Sequence, residues 1–172
     1  NCIMCGLCVS DCTILEVDDT FIGPAALAKA SRFVYDPRDD KTEERLKFLN
    51  DEQGGIWDCT RCMQCVEVCP KDVSPMDRIM DLRETAIEIG AKKTHGYDHT
   101  NSFEKSVVAH GRLDESRLAL ESAGIFNLPR LLDLIPVGLR ALIKGKLPPL
   151  FPHKAEDNKK IKDIAKKIKE ME

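Results

Sequence analysis

The sequence predicts an all-α fold, and three observations carry that expectation. Apolar residues recur at three- and four-residue spacing along most of the 172-residue chain, punctuated by helix starts and stops. Alternating apolar and polar runs, which a half-buried strand needs, are absent. All eight cysteines fall into two copies of one spacing, one at the start of the chain and one after its first helical stretch.

The second copy, Cys59-Thr60-Arg61-Cys62-Met63-Gln64-Cys65-Val66-Glu67-Val68-Cys69-Pro70, reads C-x2-C-x2-C-x3-C-P. The first, Cys2-Ile3-Met4-Cys5-Gly6-Leu7-Cys8-Val9-Ser10-Asp11-Cys12, repeats the spacing in full. Bacterial-type ferredoxins hold iron-sulfur clusters with this run. Three thiolates on one tight loop let the backbone curl around three corners of an iron-sulfur cube. The fourth cysteine has turned away, and in two-cluster ferredoxins it ligates the other cluster. Carried over to this chain, Cys2, Cys5 and Cys8 share one 4Fe-4S cluster with Cys69, while Cys59, Cys62 and Cys65 share a second with Cys12. Paired C-x2-C elements also build zinc sites, and eight cysteines in a secreted chain suggest disulfides. Neither alternative calls for a third cysteine at x2 and a fourth at x3 in both copies.

The helices follow in order. Gly23-Pro24 opens a helix over Ala25 to Tyr35, since proline suits the first helical turn; Leu27, Ala30 and either Phe33 or Val34 share a side, and Asp36-Pro37 ends it. Thr42 to Asn50 is a charged helix with Leu46 and Leu49 inward. Gly54-Gly55 breaks the chain before Trp57, read as a core residue, with shielding of a cluster as its alternative role. Ser74-Pro75 supplies a cap and first residue for a helix reaching Gly90, with Ile79, Leu82, Ala86 and Ile89 on one face. His95, His99 and His110 lie in and after a polar connection and are read as loop histidines. A further helix covers Leu113 to Ser122. Leu128 to Pro136 is apolar. Val137 to Lys146 is a short amphipathic element with Leu139, Leu142 and Ile143 beside Arg140, Lys144 and Lys146. Pro148-Pro149 and Pro152 enforce an extended connector. A last helix, Asn158 to Met171, sets Ile161, Ile164, Ala165 and Ile168 in one stripe among lysines.

Composition narrows the function classes. Hydrophobic residues make up 42% and charged ones 32%, but aromatics only 5%, so the core is aliphatic and modest. Metal binding then contributes much of the stability. No stretch approaches the length of uncharged apolar residues that crosses a bilayer, and no secretory signal is visible. Net charge is -3, unevenly spread: residues 1–128 carry 15 Lys and Arg against 23 Asp and Glu, and residues 129–172 carry 11 against 6. An acidic cluster region and a basic tail offer different surfaces to different neighbours. No paired acid and base, phosphate loop or open substrate constellation is present, so no catalytic residue is assigned.

The run Gly23-Pro24-Ala25-Ala26-Leu27, then Ala30-Ser31-Arg32-Phe33-Val34-Tyr35-Asp36-Pro37-Arg38-Asp39, followed by Arg45-Leu46 and the Cys59 motif, resembles the iron-sulfur subunits of succinate dehydrogenases and fumarate reductases. The resemblance covers about residues 1–85 and implies their C-terminal α-helical ferredoxin domain. In that family a plant-type 2Fe-2S domain comes before it, so upstream sequence is expected ahead of Asn1. Ordinary members lack a cysteine matching Cys62 and hold a 3Fe-4S cluster there. They also place proline, tryptophan and histidine, which help form a quinone pocket, where this chain has Thr13, Glu16, Val17 and Thr60.

From about Gly111 onward, Leu113, Leu139-Arg140 and Leu142 to Pro149 resemble the two-cluster iron-sulfur subunit of heterodisulfide reductases, which passes electrons to a neighbour with CCG motifs. Together the resemblances imply an α-helical ferredoxin domain over 1–110, with two 4Fe-4S clusters, and a helical partner-docking extension over 111–172. The implied function is electron relay between a flavin-containing dicarboxylate oxidoreductase subunit and a CCG-motif subunit that reduces quinone or disulfide. Enzyme activity then belongs to the complex. The location expected is cytoplasmic or at the periphery of the inner membrane, with membrane contact peripheral or through a partner and no nucleic acid bound. Two alternatives stand: a heterodisulfide-reductase-like carrier without the flavin partner, and a structural zinc or interaction module.

Overall fold

The computed structural model describes residues 1–50, 53–92, 94–124, 127–148 and 154–171. Among them the regular structure is helical throughout, with no strand, as the sequence predicts. The chain divides into two compact units, Asn1–Thr94 and His95–Glu172. The expected boundary at 110/111 differs from this division because the helix ending at His110 packs on the helices that follow it.

In the first unit, α1 (Leu7–Ser10) and α4 (Gln64–Glu67) are single turns inside the two cysteine motifs. Three longer helices, α2 (Gly23–Val34), α3 (Thr42–Leu49) and α5 (Pro75–Glu88), support them. Apolar periodicity dictates how these pack. Leu27 and Val34 of α2, Leu46 and Leu49 of α3, and Ile79, Leu82 and Ala86 of α5 are all buried, so α2 lies along α5 and α3 contacts both. Phe21 and Ile56, from the loops before α2 and before the second motif, complete the core.

Of the pair Phe33 and Val34 it is Val34 that turns inward, and one predicted inward residue, Ile89, differs. Phe33 is exposed, Arg32 and Arg45 lying over its ring at 5.6 and 5.3 Å from the centroid. Ile89 is the C-cap residue of α5 and is exposed. That helix ends at Gly90 (φ 82°), where Ala91 N donates to Ala86 O and Gly90 N to Ile87 O, a Schellman closure that needs a left-handed residue. Gly54 is required for a different reason: a Cβ there would stand 2.3 Å from Thr20 O, in the close crossing that lets Ile22 N donate to Gly54 O.

In the second unit, α6 (His95–His110) packs on α7 (Glu115–Ala123) and α9 (Asn158–Met171), and α8 (Leu128–Ile143) touches α7. His95, His99 and His110 are therefore helical, correcting their reading as loop residues; the His95 and His99 rings stack at 6.4 Å. The helical period of α6 is hidden because its buried positions are serines, Ser102 and Ser106. Ser106 Oγ accepts from Asp114 N and donates to Arg112 O, which places Asp114 to cap α7 by accepting from Arg117 N. Gly111 (φ 71°) admits Ala155 and Ile161 of the last segment. The helix α8 runs through Pro136 and is capped by Asn127, whose side chain accepts from Arg130 N. No residue of α8 is buried. Pro149 and Pro152 of the expected connector lie outside the described residues.

Candidate metal centre

Both cysteine motifs fold alike. Met4 (φ 59°) and Gly6 (φ 81°) are left-handed on either side of Cys5, and Arg61 (φ 58°) and Met63 (φ 69°) flank Cys62 in the same way. This backbone costs a residue with a side chain about 1–2 kcal/mol, so three such residues at matched positions mark strain held for function. Successive reversals curl each loop and turn its N–H groups to one side, as anion-binding nests do. Each loop enters a helical turn through corresponding bonds, Ser10 N to Gly6 O at 3.0 Å and Glu67 N to Met63 O at 3.1 Å. Cys12 N to Val9 O and Cys69 N to Val66 O then close both turns at 3.2 Å.

The thiols divide across the motifs. Cys2, Cys5 and Cys8 line a cavity of about 750 Å³ together with Cys69, and Lys29, Arg32 and Arg78 stand in its wall. Cys59, Cys62 and Cys65 line a smaller recess together with Cys12, walled by Ile14, Phe21, Met76 and Ile79. Cys12 and Cys65 are buried, whereas Cys2 and Cys5 are exposed, so the second set is the better shielded from water.

Hydrogen-bond donors meet several sulfurs. Met4 N–H donates to Cys2 Sγ at 3.4 Å, Val73 N–H to Cys69 Sγ at 3.3 Å, and the Thr13 hydroxyl to Cys62 Sγ at 3.6 Å. The Gln64 N–H and then the Thr13 hydroxyl lower the pKa of Cys62. The Val73 and Lys71 N–H groups lower that of Cys69. Burial, with the Cys59 thiol next, pushes Cys65 up to about 11, and burial raises Cys8 as well.

Supporting the second motif is a buried side chain that periodicity does not reveal. Arg83 of α5 donates to Ile56 O at 2.8 Å and to Cys59 O at 2.7 Å, with its guanidinium 4.9 Å from the Trp57 ring centroid. Trp57 donates its indole N–H to Asn50 Oδ1 at 2.6 Å and packs against the core, in keeping with a core tryptophan. Sequence alone marks Thr13 only as a departure from proline. The available signal is its contrast with Pro70, which follows the fourth cysteine of the other motif.

Four free thiols around each of two cavities, with N–H and O–H donors aimed at sulfur, fit the ligand chemistry of a 4Fe-4S cluster. Among the described residues no three His, Cys, Asp or Glu side chains gather closely enough to hold a single ion. A cubane takes its thiolates at separate corners and so at wider spacing.

Residues 1–73 match the family described as the 4Fe-4S dicluster domain, in agreement with the ligand chemistry of the two cysteine sets. The chain is 30% identical over 170 residues to the 8-methylmenaquinol:fumarate reductase iron-sulfur subunit of Wolinella succinogenes, covering 98% of this chain and 51% of that protein. It is 47% identical over 75 residues to the fumarate reductase iron-sulfur subunit of Escherichia coli O6:H1, covering 44% of this chain and 30% of that protein. Over 92 residues it is 38% identical to the fumarate reductase iron-sulfur subunit of Mycobacterium tuberculosis, covering 54% and 37% respectively. The chain is thus homologous to fumarate reductase iron-sulfur subunits and spans about half the length or less of these relatives. No solved structure matches it.

Proposed function

We propose that the chain carries two 4Fe-4S clusters and relays electrons within a complex of the succinate dehydrogenase and fumarate reductase type. The observation that carries this reading is the pair of cysteine sets, each three thiols from one motif and one from the other, lining separate cavities. In this reading Cys2, Cys5, Cys8 and Cys69 hold the first cluster, and Cys59, Cys62, Cys65 and Cys12 the second. A bound cluster supplies a one-electron redox change. The chain's residues do the rest: the left-handed loops present thiolates, Phe21, Met76 and Ile79 exclude water from the second site, and Arg83 fixes the approach to Cys59. Similarity to iron-sulfur subunits along nearly the whole chain supports placement beside a flavin-containing dicarboxylate subunit.

On its other side the proposed neighbour is a CCG-motif subunit, docked through the exposed apolar and cationic α8. Membrane contact is then peripheral or through a partner, on the cytoplasmic side; among the described residues no helix is long and apolar enough to cross a membrane.

Anaerobic preparation should yield about eight irons and matching acid-labile sulfide per chain, as two cubes require. Stoichiometric zinc without sulfide would end this reading. Cys62→Ser removes one corner ligand and should convert the second site to a 3Fe-4S cluster, with an EPR signal when oxidised. Retention of 4Fe-4S signals alone, in this variant and in Cys62→Ile, whose side chain offers iron no ligand atom, would show that either another ligand takes that corner or Cys62 never bound iron.

A further inference from the structure

The two motifs match in loop geometry, helical turn and closing bond, and one of their sequence differences puts a hydroxyl where the other motif has proline. Pro70 follows Cys69, and Thr13 follows Cys12. Proline offers no donor, whereas threonine carries a hydroxyl on a stiff, β-branched side chain. That hydroxyl donates to Cys62 Sγ at 3.6 Å, a bond that spans 49 positions of sequence and joins the first motif to the second.

Its placement is enforced by the backbone. Cys12 is buried and is tied on both sides, its N–H to Val9 O and its carbonyl to Glu16 N. Thr13 is therefore delivered to the rim of the recess that Cys12, Cys59, Cys62 and Cys65 line. Cys62 is the exposed member of that set, and its sulfur meets the Thr13 hydroxyl beside the Gln64 N–H and the Thr60 hydroxyl, which substitution of Thr13 leaves in place.

Resting on the two-cluster reading, we propose that the Thr13 hydroxyl is a positioning and tuning group that raises the reduction potential of the second cluster. Reduction adds one electron to the cluster and breaks no bond of the protein. The added negative charge spreads onto the cysteine sulfurs, so a donor at sulfur stabilises the reduced form more than the oxidised one. The proton stays on Thr13 throughout. At the first site the donors to Cys2 and Cys69 are main-chain N–H groups, which side-chain substitution leaves in place. The first cluster is therefore an internal control.

The test compares the native chain with Thr13→Val, Thr13→Ala and Thr13→Ser, all prepared anaerobically. Iron and sulfide are counted first, and each cluster's midpoint is then read by EPR during stepwise reduction with dithionite and mediators. Thr13→Val and Thr13→Ala should move the second cluster to a more negative potential and leave the first where it was. Thr13→Ser, which keeps the hydroxyl and loses only the methyl, should stay near the native value. Either hydroxyl-free variant, carrying both clusters at native potentials, overturns the proposal. So does an equal shift of both clusters, or a Ser variant that behaves like Ala. If Thr13→Val does not load its second cluster, the smaller Thr13→Ala decides the matter. A native chain with fewer than two clusters overturns the two-cluster reading and this inference with it, and the iron count identifies that outcome.

Discussion

Arg83 illustrates how one side chain can hold a metal-binding loop without touching the metal. Its guanidinium is buried and bonds two carbonyls, those of Ile56 and Cys59, while Trp57 lies over it. Burial lowers its pKa to about 10, still far above neutrality, so the group remains a cation. Arg83→Met keeps the bulk and removes both donors, leaving two carbonyls short of partners. Stability should fall by about 2–4 kcal/mol, read by anaerobic chemical denaturation. Arg83→Lys should recover only part of it, because a single ammonium lacks the planar fork that reaches both acceptors. A loss below about 0.5 kcal/mol, the scale of an ordinary surface change, would show that neither bond matters.

Among the elements, α8 is the one whose sequence and burial disagree most. Leu128, Leu132, Ile135, Leu139, Leu142 and Ile143 are all exposed on a helix with no buried residue, and Arg130 and Arg140 share its length. Apolar side chains of this size each contribute about 1.5–3 kcal/mol when removed from water, so an uncovered row of them suits a partner. Reversing charge in the double variant Arg140→Glu, Lys144→Glu should weaken association with the proposed CCG-motif subunit about tenfold at low salt. The effect should shrink at high salt, where screening shortens the reach of both charges. Cluster content should not change. Unchanged association at low salt would assign the helix some other role.

At the scale of the whole molecule, the first unit has a small apolar core. Its fully buried large apolar side chains are Leu27, Leu46, Ile56, Ile79 and Leu82, against an ordering cost of about 1–2 kcal/mol per residue. In the proposed arrangement each cluster ties residues 2–12 to residues 59–69, closing a long loop. Removing iron with a chelator should therefore lower helical circular dichroism and concentrate protease cuts within residues 1–94. Full retention of helicity and protease resistance after iron loss would mean that the apolar core suffices alone.

The all-α class, the two cysteine motifs and most core positions were legible in the sequence because each depends on local spacing. Leu27, Leu46, Leu49, Ile79, Leu82 and Ala86 betray themselves by helical period, and Asn158–Met171 by its stripe of isoleucines. Other features depend on residues distant in sequence. Burial of Arg83 needs the carbonyls of Ile56 and Cys59, the packing of α6 uses serines instead of apolar residues, and the left-handed Met4, Arg61 and Met63 carry side chains that rarely adopt that backbone. Which fourth cysteine shares a cavity with which loop was expected only by carrying over the two-cluster ferredoxin pattern, and tertiary structure brings those thiols together. Spacing sets how far a sulfur stands from its own motif, but only the packing of α1 with α4, on α2 and α5, decides which cavity it enters.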